Sequence, residues 1–382
     1  MKIRNIETFR LPPRWLLLRI ETDDGITGWG EPVVEGRAAT TEACIHELKP
    51  YLEGCDPRNI EDIWQMLYRG GFYRGGAVLT SALSGIDQAL WDIKGKSLGV
   101  PIYELLGGPV RNKMKVYSWI VSDTPDDCVK SALEKKKSGF SCIKMLGIDK
   151  TGWITDFPSI NWFLEKVQAV RDAVGPEFGI AIDFHGRTHH SAAKVLLKEL
   201  EPLKPLFVEE PVLIENLDAF EDLHKSTHIP LATGERLYTR WGFKELLERG
   251  CADIIQPDLS HAGGISEVRR IASMAEAFDV ALAPHCPLGP VALASCLQVD
   301  FSSINACLQE QSIGMGYNNG LEVGTYLKNP SAFNFENGYV SLLKMPGLGV
   351  EVDEMIVRTR QKNDLQWKNP VYRLDDASIT EW

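Results

Sequence analysis

The 382-residue chain carries 52 acidic and 41 basic side chains, a formal net charge of −11, with 44% hydrophobic and 24% charged residues. That composition belongs to a globular protein with a substantial core, and the length suits two to three domains or one large barrel with an addition. The acidic balance argues against a nucleic-acid surface, no apolar run nears the roughly 20 residues that span a bilayer, and Met1-Lys2-Ile3-Arg4-Asn5 opens no secretory leader. Eight cysteines scattered from Cys44 to Cys307 form no C-x-x-C pair. They read as reduced thiols in a cytoplasmic protein, not as a disulfide framework or a zinc site.

The first stretch predicts antiparallel β structure. Leu16–Glu21 and Ile26–Gly30 flank Asp24-Gly25, a pair suited to the positive φ angles of a hairpin turn. Helical spacing follows at Ile60, Ile63, Trp64 and Leu67, then at Leu83, Ile86, Leu90 and Ile93, and runs out between Gly95 and Pro101. A small α+β domain over residues 1–115 is the expectation.

From about Val116 short apolar strands alternate with helices. The strand candidates are Lys115–Trp119, Cys142–Leu146, Gly179–Phe184, Leu206–Glu209, Leu231–Gly234, Ile254–Gln256, Val280–Ala283 and Ala306–Gln309. Helical stretches such as Ala192–Leu200 and Ile265–Phe278 lie between them. Repeated β-then-α units call for a parallel sheet with crossover helices, and eight candidates favour a closed barrel over residues 116–350.

Polar residues mark the strand ends in phase. The intervals from Asp183 to Glu209, Glu235, Asp258, His285 and Glu310 are 26, 26, 23, 27 and 25 residues. One βα unit has about that length, so successive strands deliver these groups to one rim, the C-terminal rim where such barrels place their active sites. Any one of them alone would read as a helix cap or a surface charge; six in phase do not.

Asp183, Glu209 and Glu235 would bring three carboxylates toward one point. Like charges so close call for a cation, and an all-oxygen set with no nearby cysteine favours Mg²⁺ over Zn²⁺. Glu210 should face the other way along the strand, as a solvated or ion-paired charge outside the barrel. His185 shares a strand face with Asp183, about 6.6 Å along an extended chain. His285 ends a later strand, and Asp258, one unit earlier, could hold its imidazole in one tautomer as a His-Asp dyad. The other histidines, His46, His189, His190, His224, His228 and His261, read as structural.

With these residues in place, the chain resembles the enolase superfamily in its mandelate-racemase-like branch, over nearly its whole length. Ile86-Asp87-Gln88-Ala89-Leu90-Trp91-Asp92-Ile93-Lys94-Gly95-Lys96 resembles that family's capping-domain helix. Asp183-Phe184-His185-Gly186-Arg187, Val208-Glu209-Glu210-Pro211 and Gly234-Glu235-Arg236 resemble its metal-ligand strands, and Gln256-Pro257-Asp258 with Ala283-Pro284-His285 its dyad. Arg10–Trp15, Gly71–Gly76, Asp258–Ile265, Ala283–Pro290 and Leu308–Ser312 are similar to the branch's acid-sugar dehydratases that act on galactonate. The resemblance implies a TIM-like (β/α)7β barrel with an α+β N-terminal cap completed by residues 351–382. It also implies Mg²⁺ on Asp183, Glu209 and Glu235, His185 as acid for a leaving hydroxyl, His285 as base at carbon with Asp258 behind it, and Glu310 stabilising an enediolate. Arg14, Trp15, Tyr73 and Lys144 are the candidate substrate contacts. A small sugar-acid substrate and a homo-oligomer are expected, with no nucleic-acid or membrane partner.

One departure stands out in Lys144-Met145-Leu146. The family's branch often carries a functional residue two positions past the lysine, whereas Leu146 can neither take a proton nor hydrogen-bond. This counts against a two-base racemase and leaves the particular sugar acid open, as does the individual stretch from Ile148 to Pro158. No phosphate-binding glycine loop appears among the late strands, so an unphosphorylated substrate is expected.

Overall fold

A computed structural model describes residues 1–382. Strands β1 (Ile3–Leu11), β2 (Trp15–Thr22) and β3 (Thr27–Gly30) form an antiparallel meander. The β2–β3 turn passes through Gly25 at φ +85°, the conformation that the Asp24-Gly25 pair predicts. Helices α1 (Ala38–Leu52), α2 (Ile60–Arg69), α3 (Ala77–Leu98) and the single turn α4 (Ile102–Leu105) complete this first unit. The long α3 is buried along most of its length because β2 and β3 cover one side and the barrel the other.

The predicted strand Lys115–Trp119 is two strands. β4 (Lys113–Lys115) leaves the barrel to pair with a late strand, and β5 (Ser118–Ile120) begins the parallel sheet. The sheet continues through α5 (Pro125–Lys137), β6 (Cys142–Leu146), α6 (Phe157–Val174), β7 (Gly179–Asp183), α7 (His190–Leu200), β8 (Phe207–Glu209) and α8 (Leu217–Ser226). It ends with β9 (Leu231–Thr233), α9 (Thr239–Arg249), β10 (Ile254–Ile255), α10 (Gly264–Ala277), β11 (Ala281–Leu282) and α11 (Pro290–Ser302). These seven strands pair in sequence order, β5 to β11.

The eighth predicted strand, Ala306–Gln309, makes single bridges on both sides, Ala306 to Leu282 and Gln309 to Val116. Those two bridges close the sheet on itself, giving the expected TIM-like (β/α)7β barrel with an N-terminal cap. Inside, Tyr117, Cys142, Ala181, Phe207, Ala232, Ala283 and Leu308 pack together. Two large rings among small residues fill the narrow interior, so the barrel is a plugged core rather than a pore.

The cap docks through carboxylates on helix N-termini. Glu31 accepts hydrogen bonds from the backbone N–H groups of Gly289, Val291 and Ala292 at the start of α11 (2.7, 3.1 and 2.9 Å). Asp87 accepts from Ser266 N and Oγ at the start of α10 (3.0 and 2.5 Å). Orphan amides and the helix dipole favour an acceptor at each place, while burial pushes both carboxyls up to about 7. Gly264, at φ +81°, lets Asp87 approach; a Cβ there would collide with its carboxylate.

Beyond the barrel, β12 (Tyr339–Ser341) pairs antiparallel with β4. Helix α12 (Glu354–Arg360) then packs on β1, with Arg358 on Glu7 (2.8 Å) and Arg19 on Glu354 (3.2 Å). Residues 367–382 touch the cap at Arg14 and Gly36 but extend beyond it. They cross to the mouth of the barrel, where Tyr372 lies under the Arg187 guanidinium (5.2 Å to the ring centre). No helix is long and apolar enough to cross a membrane.

Candidate active site

The side-chain period of a strand builds the floor. Cys142, Ala181 and Phe207 point into the barrel, so Lys144, Asp183 and Glu209, two residues later, point inward one level higher. The parallel register sets Leu146 beside Asp183 and Asp183 beside Glu209. By the same spacing Tyr117 leads to Trp119, Ala283 to His285 and Leu308 to Glu310.

Lys144 is 0% exposed and sits among carboxylates: 2.8 Å from Glu209, 2.8 Å from Glu310 and 3.6 Å from Asp183. Burial works against its charge, but Glu209 and Glu310 outweigh that and raise the ammonium well above its ordinary pKa. Glu310 also accepts from Trp119 Nε1 (2.7 Å) and Cys286 N (2.7 Å). Burial opposes its ionisation, yet Lys144 and His285 hold its pKa below the usual carboxylate value. Lys144 was expected as a substrate contact; it is the buried countercharge of the floor.

His285 stands between two carboxylates, Nδ1 2.8 Å from Asp258 and Nε2 2.9 Å from Glu235. Burial favours the neutral ring, but Glu235, Glu310 and Asp258 prevail and raise it well above its ordinary value. His185 lies beside Asp183, Nε2 to Oδ2 3.2 Å, and its ring is stacked at 6.3 Å on Trp119. Burial lowers its pKa against the pull of Asp183. Its nearness to Asp183 does not come from strand alternation, because β7 ends at Asp183. His185 adopts φ +51°, and its backbone N–H donates to Asp183 Oδ1 (2.8 Å), a tight turn that folds the imidazole back over the carboxylate.

No three His, Cys, Asp or Glu side chains converge as a finished metal-ligand set. Glu235 reaches toward His285, while Asp183 and Glu209 face Lys144, each acid taking the nearest positive group. Two buried oxygens, Asp183 Oδ2 and Glu209 Oε1, accept no hydrogen bond. Burial, and next the charge of Asp183, push the Glu209 carboxyl well above its ordinary value. Unsatisfied anionic oxygens in a site where acids outnumber Lys144 and the two imidazoles fit a hard cation.

Glu210 departs from expectation. It ion-pairs with Arg236 and accepts from Thr233 Oγ1 (2.9 Å), yet it is 0% exposed, not outside the barrel. It lies one residue beyond the end of β8 at φ +42°, so strand alternation no longer governs its direction. Burial, then the nearby Glu235 charge, push it up to about 7.

Above the floor opens a cavity of about 500 Å³, lined by His185, Glu235, His285, Trp119 and Leu146 among others. Arg14 lines it as predicted, ion-paired with Glu35. Trp15 does not: it is 0% exposed and packed edge-on against Tyr326 (5.8 Å), because β2 begins there and carries it into the core while Arg14 still belongs to the preceding turn. Tyr73 does not line it either; it is 86% exposed on the loop before α3 and borders a separate apolar groove. His261, read as structural, lines the cavity, with Nδ1 2.9 Å from Ser81 Oγ and Nε2 3.7 Å from Asp258. Its place three residues after Asp258 was the available signal. Glu35, Tyr317, Glu381 and Trp382 also line the cavity, and no local motif marked them.

Comparison with known proteins agrees with this architecture. Residues 9–107 match the mandelate racemase / muconate lactonizing enzyme N-terminal domain, and residues 127–356 match the enolase C-terminal domain-like model. The chain is 54% identical over all 382 residues, 100% of both chains, to the D-galactonate dehydratases of Ralstonia pickettii and Pectobacterium atrosepticum. An enolase from Agrobacterium radiobacter, provisionally assigned as a galactarate dehydratase and solved with sodium and L-malate, superposes with a TM-score of 0.91. It is 32% identical and covered, like this chain, over 100%. A provisionally assigned dehydratase from Mesorhizobium loti gives 0.89 at 31% identity, over 95% of this chain and 99% of that one. The protein therefore belongs to the mandelate racemase / muconate lactonizing enzyme family of the enolase superfamily.

Proposed function

We propose that the protein is a Mg²⁺-dependent hydro-lyase that dehydrates D-galactonate to a 2-keto-3-deoxy sugar acid. The carrying observation is that two imidazoles, His285 with its Asp258 partner and His185 beside Asp183, border one cavity over a carboxylate-rich floor. The relatives that match the full chain at 54% identity bear the name D-galactonate dehydratase.

Asp183, Glu209 and Glu235 would hold the Mg²⁺. Bound there, the dication supplies Lewis-acid stabilisation of the developing enediolate and offsets the negative charge that otherwise keeps a proton on His285. Asp258 fixes the Nδ1 side of His285, which aims Nε2 into the cavity as the base that takes the C2 proton. The electrons of that C–H bond form the C2=C1 enediolate and then the C2=C3 bond as the C3–O bond breaks. His185 gives its proton to the departing oxygen, which leaves as water. Burial makes the His185 imidazolium a readier donor at the cost of its population at neutral pH. Glu310, held by Lys144 and Trp119 and kept ionised by Lys144 and His285, would have to take up a proton before it could donate a hydrogen bond to the enediolate. The enol then ketonises at C3.

Leu146 favours dehydration over racemisation. It lines the cavity beside Asp183, where a second base would have to stand, and it cannot carry a proton. Incubation with D-galactonate and Mg²⁺ should yield a 2-keto-3-deoxy acid, and EDTA should stop it. Exchange of the C2 proton with solvent without keto acid would instead indicate an epimerase or cycloisomerase. No keto acid from any aldonic acid in a panel would overturn the assignment.

A further inference from the structure

The cavity has an outer wall that neither the barrel strands nor the cap provides. Residues 367–382 leave the cap after Lys362, whose N–H bonds Arg10 O (3.0 Å), and run across the barrel mouth. There they fold into a small hairpin, with Leu374 N donating to Ser378 O (3.0 Å), Thr380 N to Tyr372 O (3.1 Å), and an antiparallel bridge between Arg373 and Ile379. Contacts with the cap and with Arg187 of the barrel hold this segment. Arg14 places its guanidinium over the Trp367 and Tyr317 rings, 5.4 and 5.7 Å from their centres. Trp367 in turn meets Trp382 at 6.1 Å. Asn369 lies against Gly36, at φ +71°, where a Cβ would strike the amide oxygen. The segment thus packs on cap and barrel loops together, and Asn369, Glu381 and Trp382 line the same cavity as His185 and His285.

Charge gives the wall a selective character. Arg14 is already paired with Glu35, and Arg236 with Glu210. Glu381 is exposed and has no ion-pair partner, so it presents a carboxylate at the outer edge of the cavity. We infer that Glu381 and Trp382 form the subsite for the polyol end of the substrate, and that Glu381 selects monocarboxylate aldonic acids over dicarboxylate aldaric acids. This rests on the reading above: with His285 and His185 working at C2 and C3 deep in the cavity, the C1 carboxylate would face the floor, where Mg²⁺ would be held, and the far carbons would point outward. A carboxylate at the outer end can accept hydrogen bonds from substrate hydroxyls, worth more than neutral ones. A second carboxylate on the substrate would meet like charge there, an arrangement that discriminates by repulsion as well as by attraction. The Trp382 ring, with Trp367 behind it, offers an apolar surface for the C–H groups of the chain.

The test compares wild type, Glu381→Gln and Trp382→Ala on D-galactonate and galactarate, by kcat and KM and by calorimetric titration of each acid with Mg²⁺ present. Glu381→Gln is nearly isosteric and should fold as the wild type does. It should raise the galactonate KM about tenfold, the cost of one charged hydrogen bond, with the loss falling on KM rather than kcat. It should also shrink the preference for galactonate over galactarate by about as much, and Glu381→Lys should shrink it further. Trp382→Ala should weaken both acids alike. Wild-type KM values and an unchanged galactonate-to-galactarate ratio in both Glu381→Gln and Trp382→Ala would overturn the inference. A wild type that binds galactonate without dehydrating it, with affinity reduced in Glu381→Gln, would sink the proposed reaction and keep the subsite. A wild type that binds neither acid would sink both.

Discussion

The floor and the mouth of the site are built on different principles. Every ionisable group of the floor is carried on or just beyond a barrel strand, and Lys144, Asp183, Glu209 and Glu310 have at most 1% of their side chains exposed. Position there follows from register, and short ion pairs lock the groups to one another. The mouth is assembled from segments far apart in sequence, Arg14 and Glu35 from the cap, Tyr317 from a late loop, Glu381 and Trp382 from the segment that crosses the barrel. It is held by edge-on and tilted ring contacts and by the guanidinium groups of Arg14 and Arg187. Under the proposed function, chemistry falls to the strand-borne floor and recognition to the loops laid over it, the division that lets one barrel serve many substrates.

Substitutions can break this contrast at either end. The largest effect belongs to the floor. His285→Asn should lower kcat by about a thousandfold or more, within the range for loss of a positioned general base. Incorporation of solvent deuterium at C2, followed by NMR, should cease; exchange at the normal rate would mean that another group is the base.

Lys144→Met comes next. It leaves Glu209 and Glu310 facing one another without their shared cation, and breaking such a buried pair costs about 3–5 kcal/mol. Urea unfolding should show that loss in the absence of metal, and added Mg²⁺ should recover part of it. Full stability without metal would show that the floor carboxylates protonate at little cost.

The smallest effect tests the border of the mouth. Tyr73 is largely exposed and lies off the cavity, so Tyr73→Ala should change kcat/KM for galactonate by less than about twofold, the scale of a surface substitution. A tenfold loss would mean that the loop before α3 closes over the substrate and belongs to the mouth after all.

What the sequence by itself determined was the floor. The near-constant spacing from Asp183 to Glu310 reports the length of a βα unit, and a polar residue two places past an inward apolar one must lie on the same face. Both rules are local, so the barrel, its rim and the strand-borne carboxylates with His285 could be read directly. The tertiary structure decided what local rules do not reach. Glu210 and His185 sit beyond the ends of their strands at positive φ, where alternation no longer predicts direction, and the first is consequently buried rather than outside. Trp15 sits beside Arg14 in the chain, yet the strand turns it into the core. The outer wall depends on Arg14 meeting Trp367, residues more than 350 positions apart. Such contacts follow from how the cap, the barrel and the crossing segment pack together, and no periodicity along the chain encodes them.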